Sequence, residues 1–241
     1  MKFQVIRLRT LLLSAALIAA LFVFCLLGNR AILTVSGQLQ QHGTPLILID
    51  PGHGGEDGGT QSADGILEKD INLQLSKKIE ALLHARGLQT QMTRGEDTLI
   101  YDAGCKRMRE KKVSDIKNRM AMIEAAPDCI FLSIHQNYFS DTACCGTQVF
   151  YSPNNEKSAL LADAIQKAVI TAVQPENQRV IKPSGKEIYL LYHAQVPAVM
   201  VECGFLSKPE EVAKLTDEDY QNKIVAAIVD GVCNYLNNKQ S

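Results

Sequence analysis

The chain has 241 residues, of which 46% are hydrophobic and 21% are charged, and its formal net charge is −1. These values are normal for a globular protein with one domain of ordinary size and some additional sequence. Because the charge is close to neutral, the chain lacks the basic surface that nucleic-acid-binding proteins carry, which argues against a nucleic-acid partner.

The first predicted element is a helix in the uncharged run TLLLSAALIAALFVFCLLG, residues 10–28. This run has about the length that a helix needs to cross a bilayer. Three basic residues precede it and only Arg30 follows closely, so the positive-inside rule puts residues 1–9 in the cytoplasm. We therefore expect a single-pass membrane anchor with the rest of the chain outside the cytoplasm. A signal peptide, whose cleavage would release a secreted protein, is the alternative.

The polar, aperiodic residues 29–44 are expected to form a linker, and residues 45–238 a single α/β domain in which short apolar runs alternate with helical patterns. Strands are predicted at 46–50, 88–93, 129–134, 146–151, 188–192 and 197–201. Helices are predicted around 71–82, 116–123, 158–173 and 217–236. Since most strand runs are continuously apolar, we expect a mostly parallel, mixed and twisted sheet of about six strands, with helices on both faces.

Three of the predicted strands lead to unusual polar residues. The first strand leads to His53 in a glycine-rich loop, the third leads directly to His135, and the last leads directly to Glu202. Glu68 stands at the first turn of the helix after the loop. Functional residues of open α/β sheets gather at the carboxyl ends of the strands, so we expect these four residues at one rim.

Two histidines and one carboxylate form a known type of catalytic zinc site, in which three protein ligands leave a position for water. A second carboxylate that does not bind the metal can then move a proton between that water and a leaving group. Asp50 and Asn137 lie next to the predicted strand ends and are candidates for orienting loops or ligands.

Each of these residues also has a simpler structural interpretation. A single histidine at a strand end is more often a hydrogen-bonded structural residue than a ligand. Glu68 alone would be a helix N-terminal charge, and Glu202 alone would be a buried acid paired with Arg119. Their joint placement favours a site.

Two other kinds of site are weaker alternatives. The glycines of the loop PGHGGEDGG do not satisfy G-x-G-x-x-G, and its two acidic residues would repel a pyrophosphate. A cysteine hydrolase with Cys203 as the nucleophile is disfavoured, because Cys203 adjoins Glu202 on a strand and should face the opposite side.

Several stretches together resemble the zinc-dependent N-acetylmuramoyl-L-alanine amidases of the Amidase_3 family. They occur in the family's order: LIDPGHGGEDGG, LEKDINLQLSKKIEALL, GLQTQMTR, DIKNRMAMIEAA, FLSIHQN and PAVMVECGFLS. The resemblance implies that residues 45–238 are an amidase catalytic domain in which His53, Glu68 and His135 bind one zinc ion and Glu202 is the catalytic acid and base. It also implies cleavage of the amide between N-acetylmuramic acid and L-alanine of the peptidoglycan stem peptide.

A closer resemblance is to the CwlD-like, germination-specific amidases of endospore formers, based on KKVSDIKNRMAMIE, the N-terminal anchor and the lack of a wall-binding module. It implies an envelope-facing domain that prepares muramic acid for conversion to the muramic δ-lactam of spore cortex, which a deacetylase completes. An activating protein is a further candidate partner. A general autolytic amidase, a zinc peptidase and a non-catalytic peptidoglycan-binding module remain the alternatives.

Four basic residues are candidates for contacting an acidic, peptide-bearing glycan. They are Arg119 and, in the loop NQRVIKPSGKEI, Arg179, Lys182 and Lys186. The competing interpretation is that the loop residues form an exposed turn, since charges in loops are usually solvated.

Overall fold

A computed structural model describes residues 44–139 and 144–238. The strands are β1 (Ile47–Pro51), β2 (Thr90–Met92), β3 (Ile130–Asn137), β4 (Gln148–Tyr151), β5 (Lys182–Pro183) and β6 (Ala198–Phe205). The helices are α1 (Glu68–Ala85), α2 (Met108–Glu124), α3 (Glu156–Ala172), α4 (Tyr189–His193), α5 (Pro209–Thr216) and α6 (Glu218–Asn238).

The strands form one mixed sheet in the order β2-β1-β3-β6-β4-β5. The first four strands of this order are parallel, β4 runs antiparallel to β6, and β5 runs parallel to β4. The prediction of a mostly parallel, mixed sheet of about six strands is therefore confirmed. The parallel strands β1, β3 and β6 end at the same edge, and this edge carries the polar residues described below.

Helices cover both faces of the sheet, as predicted. On one face α1, α3, α5 and α6 pack over alternate strand residues such as Ile47 and Ile49. On the other face α2 and α4 pack over the intervening residues, including Leu48 and the fully buried Phe131. Burying one such large apolar side chain contributes about 1.5–3 kcal/mol to folding. Coverage on both faces explains why the strands are continuously apolar in sequence.

The predicted strand at 188–192 is wrong, because Tyr189–His193 form the short helix α4 and Ile188 is its N-cap. The amide of Tyr192 donates to the carbonyl of Ile188 at 2.9 Å, and the amide of Ala194 donates to that of Leu190 at 2.9 Å. Short apolar runs do not distinguish a buried strand from a buried helical turn. The sixth strand is instead the two-residue β5, and α5 is a helix that the sequence analysis did not predict.

Among the described residues, no helix has both the length and the apolar character needed to cross a membrane. The predicted anchor at 10–28 and nearly all of the predicted linker at 29–44 lie outside those residues.

Candidate metal centre

The four polar residues predicted at strand ends and at the start of α1 lie at one rim of the sheet. His53 follows β1 in the glycine-rich loop, and Glu68 is the first residue of α1. His135 and Glu202 are register partners on the adjacent parallel strands β3 and β6. Register partners on adjacent parallel strands present their side chains on the same face of the sheet, so these two side chains are neighbours.

The carboxylate of Glu68 lies between the two histidine rings. Its Oε2 atom is 3.2 Å from Nε2 of His53, and its Oε1 atom is 2.8 Å from Nδ1 of His135. Backbone amides of Thr60 and Gln136 donate to the same two oxygens at 2.9 and 3.0 Å. One ligand atom from each of the three side chains lies within 4.8 Å of the others, which is a spacing that a single metal ion can bridge.

Two glycines permit this close packing. A Cβ atom on Gly52 would lie 2.2 Å from Nε2 of His135, and one on Gly59 would lie 2.5 Å from Oε2 of Glu68. Gly59 also has φ of +70°, a conformation that side chains disfavour. Any larger residue at these positions would displace a candidate ligand.

The donor set and its electrostatics fit a divalent cation. Burial lowers the pKa of His53, but hydrogen bonds to Asp57 and Glu68 outweigh it and raise this pKa to about 9. Burial likewise opposes ionisation of Glu68, yet the two histidines hold its pKa well below the usual range. The rim therefore favours positive charge at this point. Two imidazoles with one carboxylate are one of the ligand sets that catalytic zinc sites use in proteins.

Glu202 has an environment unlike that of Glu68. Its Oε2 atom is buried and has no hydrogen-bond partner among the described residues. Burial, although offset by His135, raises the pKa of Glu202 to about 7. A carboxyl group with this pKa can both accept and donate a proton near neutral pH, which is the property of a general acid or base.

Residues 47–234 match the Amidase_3 family, described as N-acetylmuramoyl-L-alanine amidase. The chain belongs to this family. It is 30% identical over 194 residues to the germination-specific N-acetylmuramoyl-L-alanine amidase of Bacillus subtilis, an alignment that covers 80% of this chain and 81% of the relative. The chain is thus an N-acetylmuramoyl-L-alanine amidase of peptidoglycan.

Solved structures agree with this assignment. The CwlD amidase of Clostridioides difficile, determined in complex with the GerS lipoprotein, is 38% identical with a TM-score of 0.77, covering 80% of this chain and 99% of CwlD. An N-acetylmuramoyl-L-alanine amidase from Clostridium difficile 630 is 30% identical with a TM-score of 0.70, covering 82% of this chain and all of that structure.

Asp50 and Arg119 form a buried ion pair beneath the histidine loop of the amidase. Nη1 of Arg119 lies 2.5 Å from Oδ1 of Asp50, and Nη2 donates to the carbonyl of His53 at 2.9 Å. Arg119 is only 3% exposed, so its position does not support the expectation that it faces the glycan. It holds the backbone of the loop instead, with Asp115 as its second acidic partner at 2.7 Å.

Arg94 is a loop-holding residue that sequence reasoning missed. It is 3% exposed and donates from Nε to the carbonyl of Pro51 at 2.9 Å and from Nη2 to that of Gly52 at 3.0 Å. A signal was present, because Arg94 directly follows the predicted strand at 88–93, as His135 follows the predicted strand at 129–134.

The remaining candidates from the sequence differ in how exposed they are to solvent. Asn137 ends β3, and its carbonyl accepts from the amide of Leu206 at 2.8 Å. Lys182 and Lys186 are exposed, which is compatible with both interpretations of their loop.

Arg179 lies closer to the rim than the two lysines do. It hydrogen-bonds Gln148, the β4 register partner of Glu202, and its guanidinium stands 5.0 Å from the ring of Phe205. Of the basic loop residues, Arg179 is the one with described contacts at the rim.

Cys203 is fully buried on the core side of β6, as its alternation with Glu202 predicts. Burial raises the pKa of its thiol, so it is an inert core residue rather than a nucleophile.

Proposed function

We propose that this amidase is a zinc enzyme that cleaves the amide between N-acetylmuramic acid and L-alanine, in the maturation of spore cortex. The observation that carries the proposal is the grouping of His53, Glu68 and His135 within 4.8 Å, beside a buried carboxyl oxygen of Glu202 that has no hydrogen-bond partner in the described part of the chain. A structural acid would have its lone pairs satisfied, whereas an unpartnered one suits a group that exchanges protons with substrate. This also argues against a non-catalytic binding module.

In the proposed mechanism, His53, Glu68 and His135 hold the ion. When bound, zinc supplies Lewis-acid polarisation of the lactyl carbonyl and lowers the pKa of water. Glu202 then removes a proton from the attacking water and returns it to the nitrogen of L-alanine as the amide breaks. The carboxyl group that exchanges this proton has one buried oxygen, Oε2, with no hydrogen-bond partner among the described residues.

Two relatives support the spore-specific part of the proposal. The Bacillus subtilis relative is named a germination-specific amidase, and CwlD is the solved structure at 38% identity. We infer that this chain likewise exposes muramic acid for conversion to muramic δ-lactam, with a deacetylase acting next. Because CwlD was determined in complex with a lipoprotein, we include a lipoprotein partner in the proposal.

The location follows from the sequence. The uncharged run at 10–28 would anchor the protein in the cell membrane, with the catalytic domain on the envelope or cortex side. Secretion after cleavage of that run is the alternative. Separation of the membrane fraction from the soluble fraction would distinguish the two, since an anchored domain stays with the membrane and a secreted one does not.

The direct test is mass spectrometry of peptidoglycan incubated with the purified full-length protein and zinc. We expect free stem peptides that begin at L-alanine, together with glycan that carries peptide-free muramic acid. Cortex and vegetative peptidoglycan should be compared, because faster release from cortex supports the spore role and equal release supports a general autolysin. Intact muropeptides, also after addition of a lipoprotein partner, would contradict the proposed reaction.

A further inference from the structure

Beyond the ligand set, we propose that Asp57 and Lys112 are positioning residues that fix His53 for the cation. This inference rests on the proposed zinc centre. In this arrangement Asp57 holds the ring of His53, and Lys112, from α2, holds Asp57. Neither residue needs to touch zinc or substrate, so both act through the ligand histidine.

The ring of His53 uses its two nitrogens on opposite sides. Nδ1 lies 2.9 Å from Oδ2 of Asp57, while Nε2 lies 3.2 Å from Oε2 of Glu68. An ionised carboxylate only accepts hydrogen bonds, so it favours the proton on Nδ1. With the proton held on Nδ1, Nε2 is the nitrogen that faces the point where the three candidate ligands meet and that can exchange its proton for a cation. Such carboxylate partners fix the tautomer and the ring orientation of metal-binding histidines.

Lys112 occupies the other oxygen of the Asp57 carboxylate. Its Nζ atom lies 2.6 Å from Oδ1, and the amide of Gly59 donates to the same oxygen at 3.3 Å. With Oδ1 held by these two donors, Oδ2 stays directed at the imidazole. Loss of the ammonium would leave Oδ1 with the long amide contact of Gly59 as its remaining described partner.

The backbone of the loop serves the same purpose. His53 has φ of 60°, the one non-glycine residue with positive φ in the described parts of the chain. Such a conformation persists only where the surroundings impose it. Two reciprocal backbone hydrogen bonds of 2.9 Å between Gly54 and Asp57 close the turn, which folds Asp57 back against the ring. The turn therefore places the carboxylate of Asp57 next to the imidazole ring of His53.

The chain offers a matched control in the preceding lysine. Lys111 makes an ion pair of 2.7 Å with Glu56, whose side chain is 61% exposed. Lys111 is itself 14% exposed, whereas Lys112 is 47% exposed. If the lysines only stabilised the fold, loss of the more buried Lys111 should matter more. If Lys112 positions His53, its loss should matter more for the metal.

The experiment measures zinc affinity of the full chain by competition with a chromophoric chelator, in the wild type and in Asp57→Ala, Lys112→Met and Lys111→Met. We expect about 10–100-fold weaker binding for Asp57→Ala, a smaller weakening for Lys112→Met and no change for Lys111→Met. Lys112→Arg should restore the affinity, because it retains a cation that can donate to Oδ1. Melting of the metal-free variants checks that each one folds.

Two outcomes would overturn the inference separately from the proposed function. Equal zinc affinity in Lys112→Met and Lys111→Met, or wild-type affinity in a folded Asp57→Ala, would remove the positioning role while leaving the zinc centre intact. The ligand variant His135→Ala tests the centre itself. If His135→Ala keeps full zinc stoichiometry, the proposed metal site is wrong, and the positioning role is wrong with it.

Discussion

Two clusters of buried charge lie next to each other at the rim of the sheet, and they are built in opposite ways. The loop-holding cluster comprises Asp50, Asp115 and Arg119, and each of its charges is paired and hydrogen-bonded. The ligand cluster comprises the candidate metal ligands His53, Glu68 and His135 together with Glu202. It contains a carboxyl oxygen that has no hydrogen-bond partner within residues 44–139 and 144–238, and a histidine with positive φ.

The loop-holding cluster stabilises the fold, whereas the ligand cluster is held in place by the rest of the fold at a cost in free energy. Unsatisfied buried oxygens and strained backbone cost free energy, and they persist where function requires them. A fully paired buried ion cluster is costly to break, because removing one partner leaves a charge without compensation. Substitutions in the two clusters should therefore affect different measurements.

The largest effect on activity is expected from Glu202→Gln. This change keeps the shape of the side chain but removes the group that carries the proton, so turnover should fall about 10²–10⁴-fold, the usual contribution of a general acid or base. Zinc content should not change. The free energy of unfolding should stay the same or rise, because a buried ionisable oxygen is replaced. Release of stem peptides, zinc analysis and urea unfolding measure the three quantities.

The same substitution at an exposed position is the control. Glu210 lies in the first turn of α5 and is exposed, so Glu210→Gln should leave turnover unchanged. Wild-type turnover in Glu202→Gln would contradict the assigned role of this residue. A large loss of stability in the same variant would show that Glu202 stabilises the fold, as the loop-holding cluster does.

The loop-holding cluster should respond in the opposite way. Asp50→Asn or Arg119→Met leaves a buried charge without its partner, and we expect unfolding to become easier by about 3–5 kcal/mol. Lys167→Met, which removes an exposed ion pair with Asp163, should cost less than about 1 kcal/mol. Urea unfolding compares the three. A cost for Arg119→Met no larger than that for Lys167→Met would mean that the paired cluster does not stabilise the fold.

The sequence was most informative where local pattern and topology act together. His53 follows β1, and His135 and Glu202 lie near the carboxyl ends of β3 and β6. Because the carboxyl ends of parallel strands meet at one edge, the proximity of these residues could be predicted without coordinates. The prediction for α4 failed because IYLLY is apolar throughout and carries no periodicity that separates a helix from a strand.

Contacts between distant surface residues could not be predicted. Lys112 is one of several lysines in a charged stretch of α2, and its partner Asp57 lies in a loop on the other side of α1 in sequence. Nothing in either stretch indicates the pairing, because it depends on how α2 packs beside the loop. The inward direction of the Arg119 guanidinium could not be predicted for the same reason, since it depends on the packing of α2.

The smallest expected effect is the pH dependence of the loop-holding cluster. Burial alone would raise the pKa of Asp50, but Arg119 and the hydroxyls of Ser133 and Thr93 keep it below the usual value of 3.8. A carboxylate with a lowered folded-state pKa contributes stability that is fully present above its unfolded pKa and is lost as the pH falls through the folded one.

The gap in unfolding free energy between the wild type and Asp50→Asn should therefore be constant near neutral pH and narrow below about pH 3.8. Urea unfolding between pH 7 and pH 3 measures this gap. The control is the same gap for Asp163→Asn, whose side chain is in an exposed ion pair with Lys167 and should show little change with pH. Because the other titrating groups are common to both proteins, their contributions cancel in the difference. A gap that stays constant through the acid range would show that the ionised Asp50 is not what stabilises the loop, and the contrast between the two clusters would then rest on Arg119 and Asp115 alone.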